Sequence, residues 1–275
     1  MQHREHVLDA PDLRAELLPG RGTNGGYSLV VDGVTQSHVN PADPRDLQLE
    51  YTRFVAAIAD GCREQAEPVR VLHLGAGALT LARYLGATRP ASVHHVVELH
   101  RALLEFVLDT LPVDPAVPIT FEFDDARTAV ERAVSHGAEF DLVIADLFSG
   151  SRTPEHLSTE EFFDDLGRLL SPGGVLIVNT IATAGLGVSR EVGATLLEVF
   201  AEVLALTSPT VVADAGLGNV VYAASHDELP RRRIRRRIDQ THRRIELLEG
   251  APLAAYVGQA RTLRDDQADV QVQRD

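Results

Sequence analysis

The chain has 275 residues, 44% hydrophobic and 24% charged, which suits one large globular domain with a smaller appendage. Its single cysteine, Cys62, excludes an intrachain disulfide and any zinc site with two thiolates, and the absence of lysine excludes a P-loop lysine and Schiff-base chemistry. The net charge of -14 disfavours general nucleic-acid binding, and no apolar run reaches the roughly 20 residues that span a bilayer. Residues 1–20 hold no apolar core for a signal peptide, so the expected location is the cytoplasm.

Residues 1–12 are polar and expected to be poorly ordered. From Arg14 to Gln36, short apolar runs alternate with turns, and Asp32-Gly33 between two such runs signals a hairpin. This predicts a small N-terminal β-hairpin unit over residues 1–45. Residues 47–63 then place Leu47, Tyr51, Phe54, Val55 and Ile58 on one helical face.

The stretch VRVLHLGAG, Val69 to Gly77, follows. An apolar run of this kind reads as a buried parallel strand. Gly75 and Gly77 after it let the backbone approach a ligand closely, or pack tightly against a neighbouring strand. A second apolar strand, 93–99, carries Glu98 near its end, where a carboxylate can accept hydrogen bonds from ribose hydroxyls. A third, 117–123, leads into FEFDDAR. Asp125, with Ala126 behind it, would sit beside the base of a nucleoside, and the same carboxylate suits an N-cap for the helix from Ala126. Asp124 competes for that place. The fourth strand, 140–146, ends in Asp146, at the carboxyl edge where ligands of such sheets bind. A carboxylate there can hold an ammonium group or take its proton. His73, His94-His95 and His100 show no ligand spacing joined to carboxylates, so no metal site is predicted.

A fifth strand is expected at 174–180, with helices at about 78–86, 101–111, 126–136 and 159–170 between the strands. Ser158 to Glu161 fits a capping box, and Ser171-Pro-Gly-Gly174 stops that helix. A helix at about 188–206 and two strands at 209–214 and 219–224 follow. A loop as short as 215–218 demands an antiparallel pair. The result is an α/β fold, an S-adenosylmethionine-dependent methyltransferase-like doubly wound seven-stranded sheet over residues 46–228. Residues 229–275 read as a basic helix and tail. Ile234, Ile238, Ile245 and Leu248 would form its apolar face, its arginines would offset the acidic body, and the chain would fray from about Gln259. A dinucleotide-dependent dehydrogenase is disfavoured, because Thr80 stands where the third glycine of that fingerprint belongs.

VDGVTQ, VLHLGAG, VVELH, DDAR, FDLVIADLF, LSTEEFFDDLGRLLSPGGVLIVNT and NVVYAAS, in this order from about Leu29 to Ser225, resemble the spermidine synthases, and most closely their divergent branch. The resemblance implies transfer of an aminopropyl group from decarboxylated S-adenosylmethionine to an amine such as putrescine. No cofactor would be bound permanently. It places Asp146 on the proton-accepting aspartate, Glu98 on the ribose-binding acid and Asp125 beside the base. Gln36 falls beside the nucleoside, and Glu50 on a glutamate of the family's N-terminal helix. It also implies a homodimer acting on a small-molecule amine. The family's glycine loop reads Gly-Gly-Gly-Asp-Gly-Gly. Here Ala78 replaces its aspartate, Ser149 replaces a second aspartate after the catalytic one, and AGLGN replaces a Tyr-Pro loop. Two alternatives stay open: a methyltransferase using intact S-adenosylmethionine, and a non-catalytic nucleoside-binding homologue.

Overall fold

The apolar run ahead of Gly75 becomes the central strand because it has apolar partners on both faces. In a computed structural model describing residues 6–10, 13–20, 25–148, 153–182, 187–214, 216–241 and 243–266, Leu72 and Leu74 join one core cluster and Val71 joins the other. Val143 and Ala145 alternate with Leu142 and Ile144 in the same way on the neighbouring strand. Successive side chains of a strand point to opposite faces, so a run buried on both must be apolar throughout. Each fully buried leucine contributes about 1.5–3 kcal/mol.

Four antiparallel strands come first: β1 His6–Ala10, β2 Leu13–Pro19, β3 Tyr27–Val31 and β4 Val34–Val39. Asp32 and Gly33 turn β3 into β4 with φ of 49° and 80°, the positive pair a two-residue hairpin needs. The expected hairpin unit is thus a four-stranded sheet. Residues 6–10, expected to be loose, pair along the whole of β1 with β2.

The main body alternates α1 Glu50–Cys62, β5 Arg70–Leu74, α2 Thr80–Thr88, β6 Val93–Val97, α3 Arg101–Thr110, β7 Ile119–Glu122, α4 Ala126–Ser135 and β8 Phe140–Ala145. A single turn at Glu155–Leu157 precedes α5 Glu160–Arg168 and β9 Leu170–Ala182. Then come α6 Gly187–Val199, β10 Glu202–Thr207, α7 Pro209–Val212, β11 Gly218–Ser225, α8 Arg231–Gln240, β12 Glu246–Glu249 and α9 Ala251–Val257. The sheet order is β12-β10-β11-β9-β8-β5-β6-β7, parallel from β9 to β7 and antiparallel elsewhere. Helices α4, α5, α6 and α9 cover one face, and α1, α2 and α8 the other. The N-terminal sheet packs on α3 and Ala78, above the carboxyl ends of the parallel strands.

Several elements differ from expectation. The antiparallel partner of β11 is Glu202–Thr207, not 209–214, and the preceding helix stops at Val199. Val203 to Leu206 is a short apolar run, and such runs do not distinguish strand from buried helix by period alone. Pro209 instead opens a short helix, where its missing N–H costs nothing. The N-cap of α5 is Thr159, whose hydroxyl accepts the Phe162 N–H at 3.4 Å, one residue later than expected. Ser171 to Gly174 lie within β9. Ile234 and Ile238 are buried against α1, but Ile245 and Leu248 leave the helix: Leu248 lies in an eighth strand, which satisfies the backbone edge of β10. Arg231, Arg233 and Arg235 pair with Glu202, Glu64 and Glu249, as expected for arginines offsetting an acidic body. No helix among the described residues is long and apolar enough to cross a membrane.

Candidate active site

The site begins where β5 ends. Gly75 has φ +91° and Gly77 φ +49°, and Leu79 enters α2 at φ 59°. A Cβ at Gly75 would lie 2.4 Å from the Asp146 carbonyl oxygen, and one at Gly77 would lie 2.5 Å from Ser37 Oγ. Both the dihedrals and the space therefore require glycine. The close approach is to β8 on one side and to the N-terminal sheet on the other. Gly75→Ala is expected to destabilise the fold by about 1–3 kcal/mol, read as a lower denaturant midpoint. An unchanged midpoint would show that the turn can relax.

Glu98 stands just past β6, 8% exposed. Its Oε2 accepts the Ala76 N–H at 2.9 Å and its Oε1 accepts the His100 N–H at 2.9 Å. The carboxylate thus ties the glycine turn to the start of α3. Each oxygen keeps a second lone pair for a ligand hydroxyl. Asp125 caps α4, accepting the Arg127 N–H at 2.9 Å and the Thr128 N–H at 3.2 Å. Its other oxygen lies 3.7 Å from His156 Nε2. Capping and cavity lining are combined in one residue. Asp124, the competitor, is paired with Arg132, which holds its carboxyl below the ordinary range.

Asp146 follows β8 directly. Its Oδ1 accepts Asn179 Nδ2–H at 2.8 Å, and Asn179 Oδ1 in turn accepts Asn219 Nδ2–H at 3.1 Å. The Tyr51 phenol donates to the Gln36 carbonyl at 3.2 Å and lies beside the same carboxylate. Burial raises the Asp146 pKa above the usual carboxylate range, against the pull of those hydrogen bonds. Burial and the adjacent Asp146 push the Tyr51 phenol well up, so it remains a proton donor.

These groups share one cavity of about 590 Å³, within the range of small-molecule sites. Gln36, Gly75, Gly77, Glu98, Asp125, Ala126 and Asp146 all line it, as do Glu50, Tyr51, Asn179 and Asn219. Asp32 and Asp124 add to its acidic lining, and among the described residues its other ionisable side chains besides the phenol are His100 and His156. Among the described residues no group of three His, Cys, Asp or Glu side chains is placed to hold a metal ion.

No protein-family model matches the chain. It is 31% identical over 144 residues to the polyamine aminopropyltransferase of Vibrio vulnificus strain CMCP6, covering 52% of this chain and 48% of that protein. The chain spans about half the length of the curated relatives it matches. The solved structure of a probable spermidine synthase from Corynebacterium glutamicum superposes at a TM-score of 0.84 and 26% identity, over 94% of this chain and 96% of that one. Together these matches support a spermidine synthase-like family. Human methyltransferase-like protein 13, solved with SAH, superposes at a TM-score of 0.59 and 16% identity over 82% of this chain and 100% of that one, a likeness of fold alone.

Against the spermidine synthase-like pattern, Ala78 opens no space beside the glycine turn. It is fully buried, in one core cluster with Ala15, Leu17, Leu29 and Leu103, and its N–H donates to Ser37 Oγ at 3.2 Å. Ser149 lies outside the described residues. Asn219, in the segment that replaces the Tyr-Pro loop, supports Asn179. Sequence reasoning missed Tyr51 as a site residue because it also completes the apolar face of α1. It missed Asn179 and Asn219 as a pair. The available signal was an asparagine inside the apolar run VLIVNT, since a buried amide in a strand needs a partner.

Proposed function

We propose that this chain transfers an aminopropyl group from decarboxylated S-adenosylmethionine to an amine, putrescine or a related one, with Asp146 as proton acceptor. The observation that carries the proposal is that half-buried, hydrogen-bonded Asp146 shares one acidic cavity with Glu98, Asp125, Gln36 and the glycine turn. Glu98 would take the ribose hydroxyls, and Asp125 and Ala126 the base. Gln36 would flank the nucleoside, and Gly75 and Gly77 would let it lie close to the backbone. The donor is a co-substrate, consumed at each turnover.

In the step, the lone pair of a neutral amine attacks the carbon beside the sulfonium sulfur. The N–C bond forms as the C–S bond breaks. The electron pair of that bond returns to sulfur, and methylthioadenosine leaves uncharged. The new ammonium nitrogen gives its proton to Asp146. A carboxylate with a raised pKa holds that proton better than an exposed one. Fixing amine and sulfonium in line supplies much of the remaining rate. The acidic lining favours cationic reactants. Intact S-adenosylmethionine would bring its carboxylate among the carboxylates of Glu98, Asp125 and Asp146, which supports the decarboxylated donor.

The test is a panel of amines assayed with each donor. Release of methylthioadenosine from the decarboxylated donor, dependent on an amine, is expected. Release of S-adenosylhomocysteine from the intact donor would favour a methyltransferase. Neither product, with methylthioadenosine still bound in calorimetry, would leave a nucleoside-binding protein.

A further inference from the structure

Residues 259–266, expected to fray, are tied down on a path that leads to the cavity. Leu263 is buried; its N–H donates to Thr195 Oγ1 at 3.0 Å and its carbonyl accepts the Glu160 N–H at 2.8 Å. The Asp265 N–H donates to Glu161 Oε2 at 3.1 Å. The Asp265 carboxylate holds the Arg127 guanidinium at two points, one of them Nη1 at 2.7 Å. Arg261 and Arg264 add ion pairs to Glu191 and Glu160.

Arg127 carries the connection inward. The nitrogen that meets Asp265 also donates to the His156 carbonyl at 3.0 Å. His156 sits in the single turn Glu155–Leu157, and with Pro154 and Leu157 it lines the cavity, its ring 3.7 Å from Asp125. An isolated helical turn is not stable by its own hydrogen bonds. This one has the Leu157 N–H on the Pro154 carbonyl and the Ser158 N–H on the Glu155 carbonyl, and it depends on outside ties. A two-point arginine–carboxylate contact fixes direction as well as distance.

We propose that residues 259–266 brace the nucleoside side of the site, with Arg127 and Asp265 as positioning residues that hold the His156 wall beside Asp125. The inference rests on the nucleoside reading of the cavity.

The experiment compares the full chain with Asp265→Asn and Asp265→Glu by hydrogen exchange and by titration with methylthioadenosine. In Asp265→Asn, exchange at Leu157 and Ser158 is expected to accelerate about tenfold, and nucleoside affinity to fall about tenfold. Amides of β5 and β8 should keep wild-type exchange, which reports an intact fold. Asp265→Glu, retaining the charge, should lie between. Unchanged exchange at Leu157 and Ser158 would overturn the brace. Faster exchange with unchanged affinity would overturn its link to the site. A wild-type chain that binds no methylthioadenosine would overturn the proposed function instead, and the exchange arm would still decide whether the brace exists.

Discussion

Replacing Asp146 with asparagine is expected to lower turnover by roughly 10²–10⁴-fold, the usual contribution of a positioned proton acceptor. Methylthioadenosine affinity should stay within a few-fold, because the proposed nucleoside contacts lie at Glu98, Asp125 and the glycine turn. Asparagine has nearly the same shape, and its carbonyl can still accept from Asn179. What it lacks is the ability to take the ammonium proton. The raised pKa adds a second readout. The acid limb of the activity profile should lie above the ordinary carboxylate range. The folded protein binds this proton more tightly than the unfolded chain does. From the ordinary carboxylate pKa up to the raised one, this group therefore removes stability as pH rises, and the cost persists at neutral pH. Asp146→Asn should accordingly melt no lower than wild type at neutral pH. Steady-state kinetics, calorimetry and thermal melting together check this, and a loss of nucleoside binding equal to the loss of turnover would show that the assigned role is wrong.

Glu98→Gln is expected to lose both stability and ligand affinity. Both carboxylate oxygens already accept backbone donors in a partly buried setting, from Ala76 and His100. A glutamine must turn its NH₂ toward one of them, losing a hydrogen bond worth about 0.5–1.5 kcal/mol. It also removes an acceptor for a ribose hydroxyl. Methylthioadenosine affinity should therefore drop about 10–100-fold, the equivalent of one charge-assisted hydrogen bond. Denaturant unfolding and calorimetry separate the two effects. A lower midpoint with undiminished affinity would make Glu98 a structural tie alone.

The residues themselves determined the sheet that carries the site. Apolar runs at β5 and β8, buried on both faces, leave a local pattern that needs no knowledge of partners. Gly75, Gly77 and Asp146 were legible for the same reason, each at the end of such a run, and Glu98 and Asp125 follow β6 and β7, where parallel strands likewise deliver side chains to one edge. Tertiary structure alone decided the rest. EVLALT and ELLE are too short to show a period, and became strands because β11 and then β10 offered them backbone partners. Ala78 faces the N-terminal sheet instead of a ligand because strands some 40 residues earlier close over the turn. Tyr51 and Asn179 meet Asp146 from elements far apart in the chain, and Asp265 reaches Arg127 across 138 positions. Periodicity records which face of an element is buried. Which polar group a buried carboxylate meets depends on how the elements pack, and no local stretch encodes that.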